Sequence, residues 1–545
     1  MKIIGNITIL ELIKAFTLAC LFSIISFGTL TAQAEEPELI INEEELEASE
    51  AYDNEYSDFI KESDSPMVKM LKEHVIYLAS DKLQGRLLGT VGNLLAEDYI
   101  VKNFELYGLQ QVNASFKQTF DYAAGINPKP ACNTTFHVVI PKPGIPKELL
   151  RKRDKKWMIE KHWRPMRFSA NGTITDAELV FVGYGVTASE LSYDDYAGID
   201  VKGKVVIVLA DSAEGKPLDD YWKPYSELTY KAENAEKHGA AGIIYVKTLS
   251  DSSNTYYTGE VKVTDRKINI PAIQAKRSDI ARMFSKKLPL LKLENNINAS
   301  KKPQSMVLPN ISVSIVTDIE TKIEQFSNIV GIVKGSDPAM ADEYIVVGAH
   351  LDGIGWGKEF SKLRWRVHAI HNGADDNASG VAIMTELAAI LVKNPPKRSV
   401  LFVAFNGEEK GLMGSKRYFE NPIVPSEKTI AMIDLNMLGR LNRGRINIFG
   451  INSGDTFAAV TDTAAAHKGF KIDPQDAGSE PSDCLMFLEN NIPAMHFFTY
   501  MHVYHHTHKD DPNFLHYTSM EKIVGFTESV VRNIADAAEK PRFIK

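Results

Sequence analysis

From residue 328 to the C-terminus the chain alternates short, continuously apolar runs with stretches of helical periodicity, and this alternation constrains the fold more than any other feature. Residues 344–348, 399–405, 430–435 and 494–498 carry apolar side chains at nearly every position. An amphipathic strand would alternate, so these read as strands buried on both faces. Residues 378–392, 411–419, 457–467 and 519–537 have the length and spacing of helices. Buried strands separated by helices imply an α/β fold: a mixed, mostly parallel sheet covered by helices on both faces. Ligand sites in such sheets form at the carboxyl ends of the strands.

The preceding segments have a different character. Met67, Met70, Leu71, Val75 and Leu78 recur at helical spacing over 67–79. The glycine-punctuated turn Leu83-Gln84-Gly85-Arg86-Leu87-Leu88-Gly89-Thr90 follows, and then a helix over 93–107 that Gly108 can cap. Residues 179–183, 204–209, 242–246 and 268–273 are short β-rich runs around a helix at 226–238. We assign 63–165 and 320–545 to one discontinuous domain and 166–319 to a β-rich insertion. No internal repeat is present.

Lys2, an apolar run over 15–30 and the small residues of Ala32-Gln33-Ala34 read as a secretory signal, residues 1–34, cleaved after Ala34. The run is shorter than the ~20 residues of a spanning helix, so the mature chain is expected outside the cytoplasm without stable membrane insertion. Residues 35–62 form an acidic leader with the composition of a disordered segment. A net charge of −8 over 545 residues gives no basic face for nucleic acid. Past the signal only Cys132 and Cys484 remain, enough for one disulfide or two free thiols but not for a disulfide scaffold. Any metal chemistry must come from imidazoles and carboxylates.

Those groups cluster at the strand ends. Gly348-Ala349-His350-Leu351-Asp352 closes the first strand, and Gly373-Ala374-Asp375-Asp376-Asn377-Ala378-Ser379-Gly380 opens the helix after it. Asn406-Gly407-Glu408-Glu409, Asp434-Leu435-Asn436 and, after the last strand, His505-His506-Thr507 follow in turn. A hydrolytic zinc site needs imidazole and carboxylate ligands, an open coordination position and a nearby base, and this set contains all three. Adjacent glutamates suit a division between metal ligand and proton carrier. Asp352, two residues from His350, can orient its imidazole. Taken singly, Glu408-Glu409 reads as solvated surface, the Asp375-Asp376-Asn377 cluster as a helix cap, and His505-His506 as surface. The case rests on their joint placement.

The stretches 348–352, 373–380, 402–415, 437–441 and 506–510 resemble, in order, the signatures of the M28 family of zinc aminopeptidases. The turn at 83–90 also resembles that family. Val182-Gly183-Tyr184-Gly185, Tyr193-Asp194-Asp195-Tyr196 and His238-Gly239-Ala240-Ala241-Gly242 resemble the protease-associated (PA) domain inserted in one of its branches. The resemblance implies a two-zinc site in which Asp376 bridges the metals, Glu409 and His506 complete one, and His350 serves the other. Glu408 would be the general base, and the substrates would be peptides with a free N-terminus.

The chain departs from the family pattern at one ligand. Where the family usually has Asn-Leu-Asp, this sequence has Asp434-Leu435-Asn436, so a neutral amide stands where the carboxylate ligand of the His350 metal is expected. Asp434 shares its face but lies roughly 6–7 Å along the strand. A weakened second metal position is the consequence we expect. Tyr504-His505-His506 replaces the usual Asp-Tyr-His, with His505 as a reserve ligand. His502 and His508 flank the ligand and can line the mouth or lie on the surface. Trp356, Trp365 and His368 belong to a loop over the site. Two other readings remain: a degenerate relative that only binds, favoured by Asn436 and opposed by the intact Glu408-Glu409 pair, and a metal-assisted acyltransferase such as the related glutaminyl cyclases, which lack the insertion.

Overall fold

The computed structural model describes residues 59–146, 149–210, 225–248, 268–357, 361–362, 369–441, 443–477 and 481–544. The expected signal segment and most of the acidic leader lie outside these residues, as do Trp365 and His368. No described helix is long and apolar enough to cross a membrane.

Among the described residues, sixteen strands form two eight-stranded sheets, beside a short two-stranded one at 187–194. In chain order they are β1 (Lys117–Pro128), β2 (Asn133–Val139), β3 (Lys152–Trp157), β4 (Trp163–Pro165), β5 (Gly172–Phe181), β6 (Val205–Leu209), β7 (Gly242–Val246) and β8 (Ala272–Ala275), then β9 (Met306–Thr317), β10 (Ile319–Val333), β11 (Tyr344–His350), β12 (Ser399–Phe405), β13 (Thr429–Leu435), β14 (Arg445–Phe449), β15 (Lys471–Gln475) and β16 (Ala494–Phe498). The helices are α1 (Pro66–Leu78), α2 (Val91–Tyr107), α3 (Leu228–Lys237), α4 (Arg277–Ala281), α5 (Leu290–Ser300), α6 (Gly380–Lys393), α7 (Met413–Glu420), α8 (Phe457–Lys468), α9 (Cys484–Glu489) and α10 (Tyr517–Ala535).

The first sheet runs β1-β10-β12-β11-β13-β16-β14-β15. Its centre, β12-β11-β13-β16, is parallel throughout, and antiparallel strands flank it. Successive side chains on a strand point to opposite faces, so each central strand feeds two cores. Ile345, Val347 and Ala349 of β11, with Val400, Phe402 and Ala404 of β12, join the apolar faces of α1, α6 and α10. Val346, Leu401, Val403 and Phe405 point the other way and pack with Tyr418 of α7 and Phe487 of α9. Burial on both faces explains why these strands lack polar alternation. The sheet is covered by helices on both sides, as the sequence implies.

The second sheet runs β3-β2-β9-β5-β6-β7-β8-β4. It includes β2, β3 and β4, which sequence reading places in the surrounding domain. By hydrogen bonding, the insertion begins after β1 and ends where β9 hands over to β10. The chain crosses between sheets twice at one place: Lys129 N–H donates to the Asp318 carbonyl at 2.8 Å, and the Cys132 thiol lies 3.1 Å from both N and O of Asp318. The difference in boundary follows from composition. Lys152–Trp157 is almost entirely exposed, and an edge strand of lysines and arginines carries no apolar signal, although such charges suit an edge. Cys132 and Cys484 are both free thiols.

Candidate metal centre

Parallel strands end on the same side, and β11, β12, β13 and β16 deliver their next residues to one place. His350 is the last residue of β11 and lies beside Phe405, the last of β12. Glu408 and Glu409 follow after a turn at Gly407, whose φ of +79° is left-handed and favours glycine. Asn436 follows β13 directly. The segment 374–379 carries Asp375 and Asp376 into the start of α6, and the loop between β16 and α10 brings His502, His505 and His506.

Asp376 is the centre of the arrangement. Its Oδ1 lies 3.2 Å from His350 Nε2, and its Oδ2 lies 3.2 Å from His506 Nε2 and 3.0 Å from His505 Nε2. Glu409 Oε2 stands 3.3 Å from His506 Nε2. The imidazoles therefore meet the Asp376 carboxylate on both of its oxygens. Asp376, Glu408, Glu409, Asn436, His505 and His506 line a cavity of ≈ 220 Å³, with His496, Met437, Phe498 and Met501 on the remaining wall.

Supporting contacts fix the arrangement. Both oxygens of Asp510 accept the backbone N–H of Asp375, at 3.1 Å, and Oδ2 accepts that of Asp376 at 3.0 Å. Asp375 in turn accepts the Gly439 N–H at 2.6 Å and the Ser379 hydroxyl at 3.1 Å. Asp352 accepts the N–H of Glu408 at 3.0 Å and of Glu409 at 3.2 Å. Asn406, which precedes that turn, donates its side-chain amide to Glu97 at 2.9 Å and thereby ties the turn to α2.

The site is dense in carboxylates. Asp352, Asp375, Asp376, Asp434, Asp483 and Asp510 are all buried. Arg86 is a buried cation among them. Its guanidinium donates to the carbonyls of Leu78, Leu351, Asn372 and Gly373. Burial pulls its pKa down to about 10, while Asp352, Asp376, Asp510 and Glu409 oppose the drop, so it stays charged at neutral pH. Burial pushes the Glu408 carboxyl well above the usual range; Glu409, Asp483 and Asp352 add to that and His350 opposes it. Burial raises Asp510 to about 7 with help from Asp375, and Asp483 to about 8 beside Asp434. Burial pulls the His350 imidazole down, but Glu408, Asp352 and Asp376 overcome it and hold the pKa well above normal.

A bound cation fits this chemistry. The buried Nε2 of His350 has no aligned hydrogen-bond partner although Asp376 Oδ1 is 3.2 Å away. Facing imidazole nitrogens and carboxylate oxygens at these separations are the donor set of a zinc centre. Asp376, His505 and His506 place one ligand atom each within 4.8 Å of one another.

The structure thus brings together His350, Asp376, Glu408, Glu409, His506 and Asn436. Two residues, Asp352 and His502, differ from expectation, whereas Asp434 stays off the Asn436 position as its strand spacing implies. The imidazole of His350 meets the backbone carbonyl of Asp352 at 3.2 Å, whereas its carboxylate oxygen is 3.8 Å away and committed to the glutamate turn. Asp352 therefore acts chiefly on Glu408 and Glu409. Asp434 is drawn away from the cavity and accepts the Cys484 N–H at 3.3 Å. His502 is neither at the mouth nor on the surface: its Nε2 lies 3.1 Å from Asp375, and its Nδ1 faces Arg440 at 3.2 Å. Sequence reasoning gives no role to Arg86, Asp483 or Lys362. Only Arg86 carries a signal, its place after Gly85, whose φ is +70° and where a Cβ would sit 2.5 Å from the His371 carbonyl oxygen.

Comparison with known proteins finds two matching families. Residues 328–530 match Peptidase family M28, and residues 175–283 match the PA domain. An aminopeptidase of Pseudomonas aeruginosa (strain UCBPP-PA14) is 28% identical over 280 residues, 49% of this chain and 45% of that protein. The chain thus spans about half the length of that relative. Aminopeptidase YwaD of Bacillus subtilis (strain 168) is 24% identical over 371 residues, 65% of this chain and 68% of that one. Among solved structures, an aminopeptidase from Aneurinibacillus sp. strain AM-1 superposes with a TM-score of 0.53 at 20% identity, covering 88% of this chain and 95% of its own. A zinc aminopeptidase from Bacillus subtilis gives 0.51 at 19% identity, covering 88% and 98%. At such identities the structural likeness speaks for the fold alone.

Proposed function

Residues 328–530 place the chain in peptidase family M28, with residues 175–283 a PA domain inserted ahead of them, and from that premise we propose that it is an exported zinc aminopeptidase. The observation that carries the proposal is the Asp376 carboxylate, with His350 on one oxygen and His506 on the other. His350 and Asp376 would hold one zinc, with Asn436 beside them; Asp376, Glu409 and His506 would hold the other. Zinc supplies Lewis-acid polarisation of the scissile carbonyl and lowers the pKa of water toward about 7.

The remaining chemistry belongs to side chains. Glu408 lines the cavity, and its raised affinity for protons suits a group that takes a proton from the attacking water and returns it to the leaving amine. Asp352 holds the Glu408 backbone, so base and ligand share one rigid turn. Met437, Phe498 and Met501 give the cavity an apolar wall for the substrate's first side chain.

The two metal positions are unequal. Asn436 offers a neutral oxygen, and Asp434 is engaged elsewhere, so the position beside His350 is the weaker. The same observation favours a second reading, a binding protein that has lost catalysis. Amino-acid release from N-terminally free and blocked peptides, with and without chelator, decides between them. Chelator-sensitive cleavage of free peptides alone supports the aminopeptidase; no chelator-sensitive hydrolysis in any panel supports the binding protein. Export is tested by the N-terminal sequence of the mature chain, expected to begin at Glu35.

A further inference from the structure

His505 stands beside the candidate zinc ligands, and its Nε2 is 3.0 Å from Asp376 Oδ2 without an aligned hydrogen bond, so this distance alone does not separate a metal ligand from a proton-bearing neighbour. Its other nitrogen decides. Lys362 Nζ lies 2.6 Å from His505 Nδ1. A lysine ammonium only donates, so Nδ1 must present its lone pair, and in a neutral imidazole the proton then resides on Nε2. A nitrogen that carries a proton has no lone pair for a metal. Two further contacts hold the lysine in place. Its backbone N–H donates to the His506 carbonyl at 3.0 Å, and its Nζ also lies 3.9 Å from Met501 Sδ. The imidazoles of His505 and His506 stack with centroids 3.9 Å apart, which sets His505 alongside the ligand His506.

Resting on the zinc reading of the site, we infer that His505 is a positioning residue and not a metal ligand: Lys362 fixes its tautomer so that Nε2 keeps its proton and faces Asp376 Oδ2, the oxygen that also faces His506. The proton-bearing nitrogen steers the shared carboxylate and leaves a coordination position free for substrate. Residues of this kind, which orient a ligand without touching the metal, typically change metal affinity 10–100-fold.

X-ray absorption on the zinc-loaded full chain counts the imidazoles around the metal. His505→Ala is expected to keep the wild-type count while zinc affinity, measured by chelator competition, falls about 10–100-fold. His506→Ala is expected to lower the count. Lys362 is exposed, so its variants test the idea without risk to folding. Lys362→Met is expected to weaken zinc binding about tenfold, within that range, and Lys362→Arg to preserve it. Loss of a cation alone would tighten zinc binding, so a fall in the Met variant cannot arise from charge. Loss of an imidazole in His505→Ala, or zinc binding by Lys362→Met at or above wild-type strength, overturns the inference. If the wild-type chain binds no zinc, the zinc reading of the whole site fails instead.

Discussion

Asp352 Oδ1 accepts the backbone N–H of Glu408 at 3.0 Å, and its Oδ2 accepts that of Glu409 at 3.2 Å. One buried carboxylate at the end of β11 therefore fixes the turn after β12, joining the candidate base and the candidate ligand into one unit. Removal of the carboxylate leaves two N–H groups without their acceptor and loosens both glutamates together.

Asp352→Ala is accordingly expected to lower kcat and zinc affinity together, each by roughly 10–100-fold, with KM for small peptides little changed. Parallel zinc titrations and steady-state kinetics check this. A variant that loses activity at full zinc affinity would place Asp352 in the chemistry instead of the scaffold.

Asn436 lines the cavity where a carboxylate is expected, and Asp434 is held by the Cys484 N–H. Asn436→Asp supplies the missing charge without disturbing Asp434. It is expected to tighten the weaker metal position by at least about tenfold, the cost associated with a displaced or altered metal partner, and to bring the two stoichiometric steps closer together in calorimetry. A wild-type chain that already binds two zincs with equal affinity would refute the asymmetry.

Arg86 is buried among Asp352, Asp376, Asp510 and Glu409 and donates to four backbone carbonyls. Arg86→Met removes the charge and leaves those carbonyls short of a donor. Breaking buried charge pairing costs about 3–5 kcal/mol, so the zinc-free variant is expected to unfold at a clearly lower urea concentration. Added zinc should stabilise it more than it stabilises the wild type. An unchanged urea midpoint would show that the surrounding acids are neutralised by other means.

Some parts of the molecule are carried openly by the sequence. His350 ends a strand, Glu408 and Glu409 lie in the turn just after one, and Asp376 lies where a helix opens, so pattern and position coincide. β12 and β16 agree with the apolar runs residue for residue, because strands buried on both faces tolerate little polar interruption. β3 is a polar strand at the sheet's edge, β2 lies next to it, and their membership in the inserted sheet is a matter of long-range pairing. Asp483 and Lys362 are invisible for a related reason, and Arg86 shows only through the glycine before it: each meets the site across hundreds or scores of residues, and single-sequence spacing carries no distance of that kind. Asp352 is legible as a site residue, but the groups it binds are backbone N–H groups of another strand end, which no side-chain pattern records.

The inserted domain allows a test away from any metal. Asp195 is buried and accepts the N–H groups of Tyr184 and Val186 at 3.1 Å and the hydroxyl of Tyr193 at 2.8 Å. Gly183 makes room for it: φ there is +49°, and a Cβ would sit 2.4 Å from Asp195 Oδ1. Burial pushes the carboxyl up to about 7, against the pull of those hydrogen bonds. In the unfolded chain it titrates near the ordinary aspartate value of 3.8. Between these values the folded state holds a proton that the unfolded state has lost, so stability falls as pH rises. The contribution is complete below about pH 4 and gone above about pH 7, and at about 1.4 kcal/mol per pKa unit it amounts to roughly 4–5 kcal/mol at most. Hydrogen exchange at β6 and β7, corrected for intrinsic rates, should show protection falling over that window in the wild type. Asp195→Asn, which cannot ionise, should flatten the profile, and an equally steep profile in that variant would assign the pH dependence to another group.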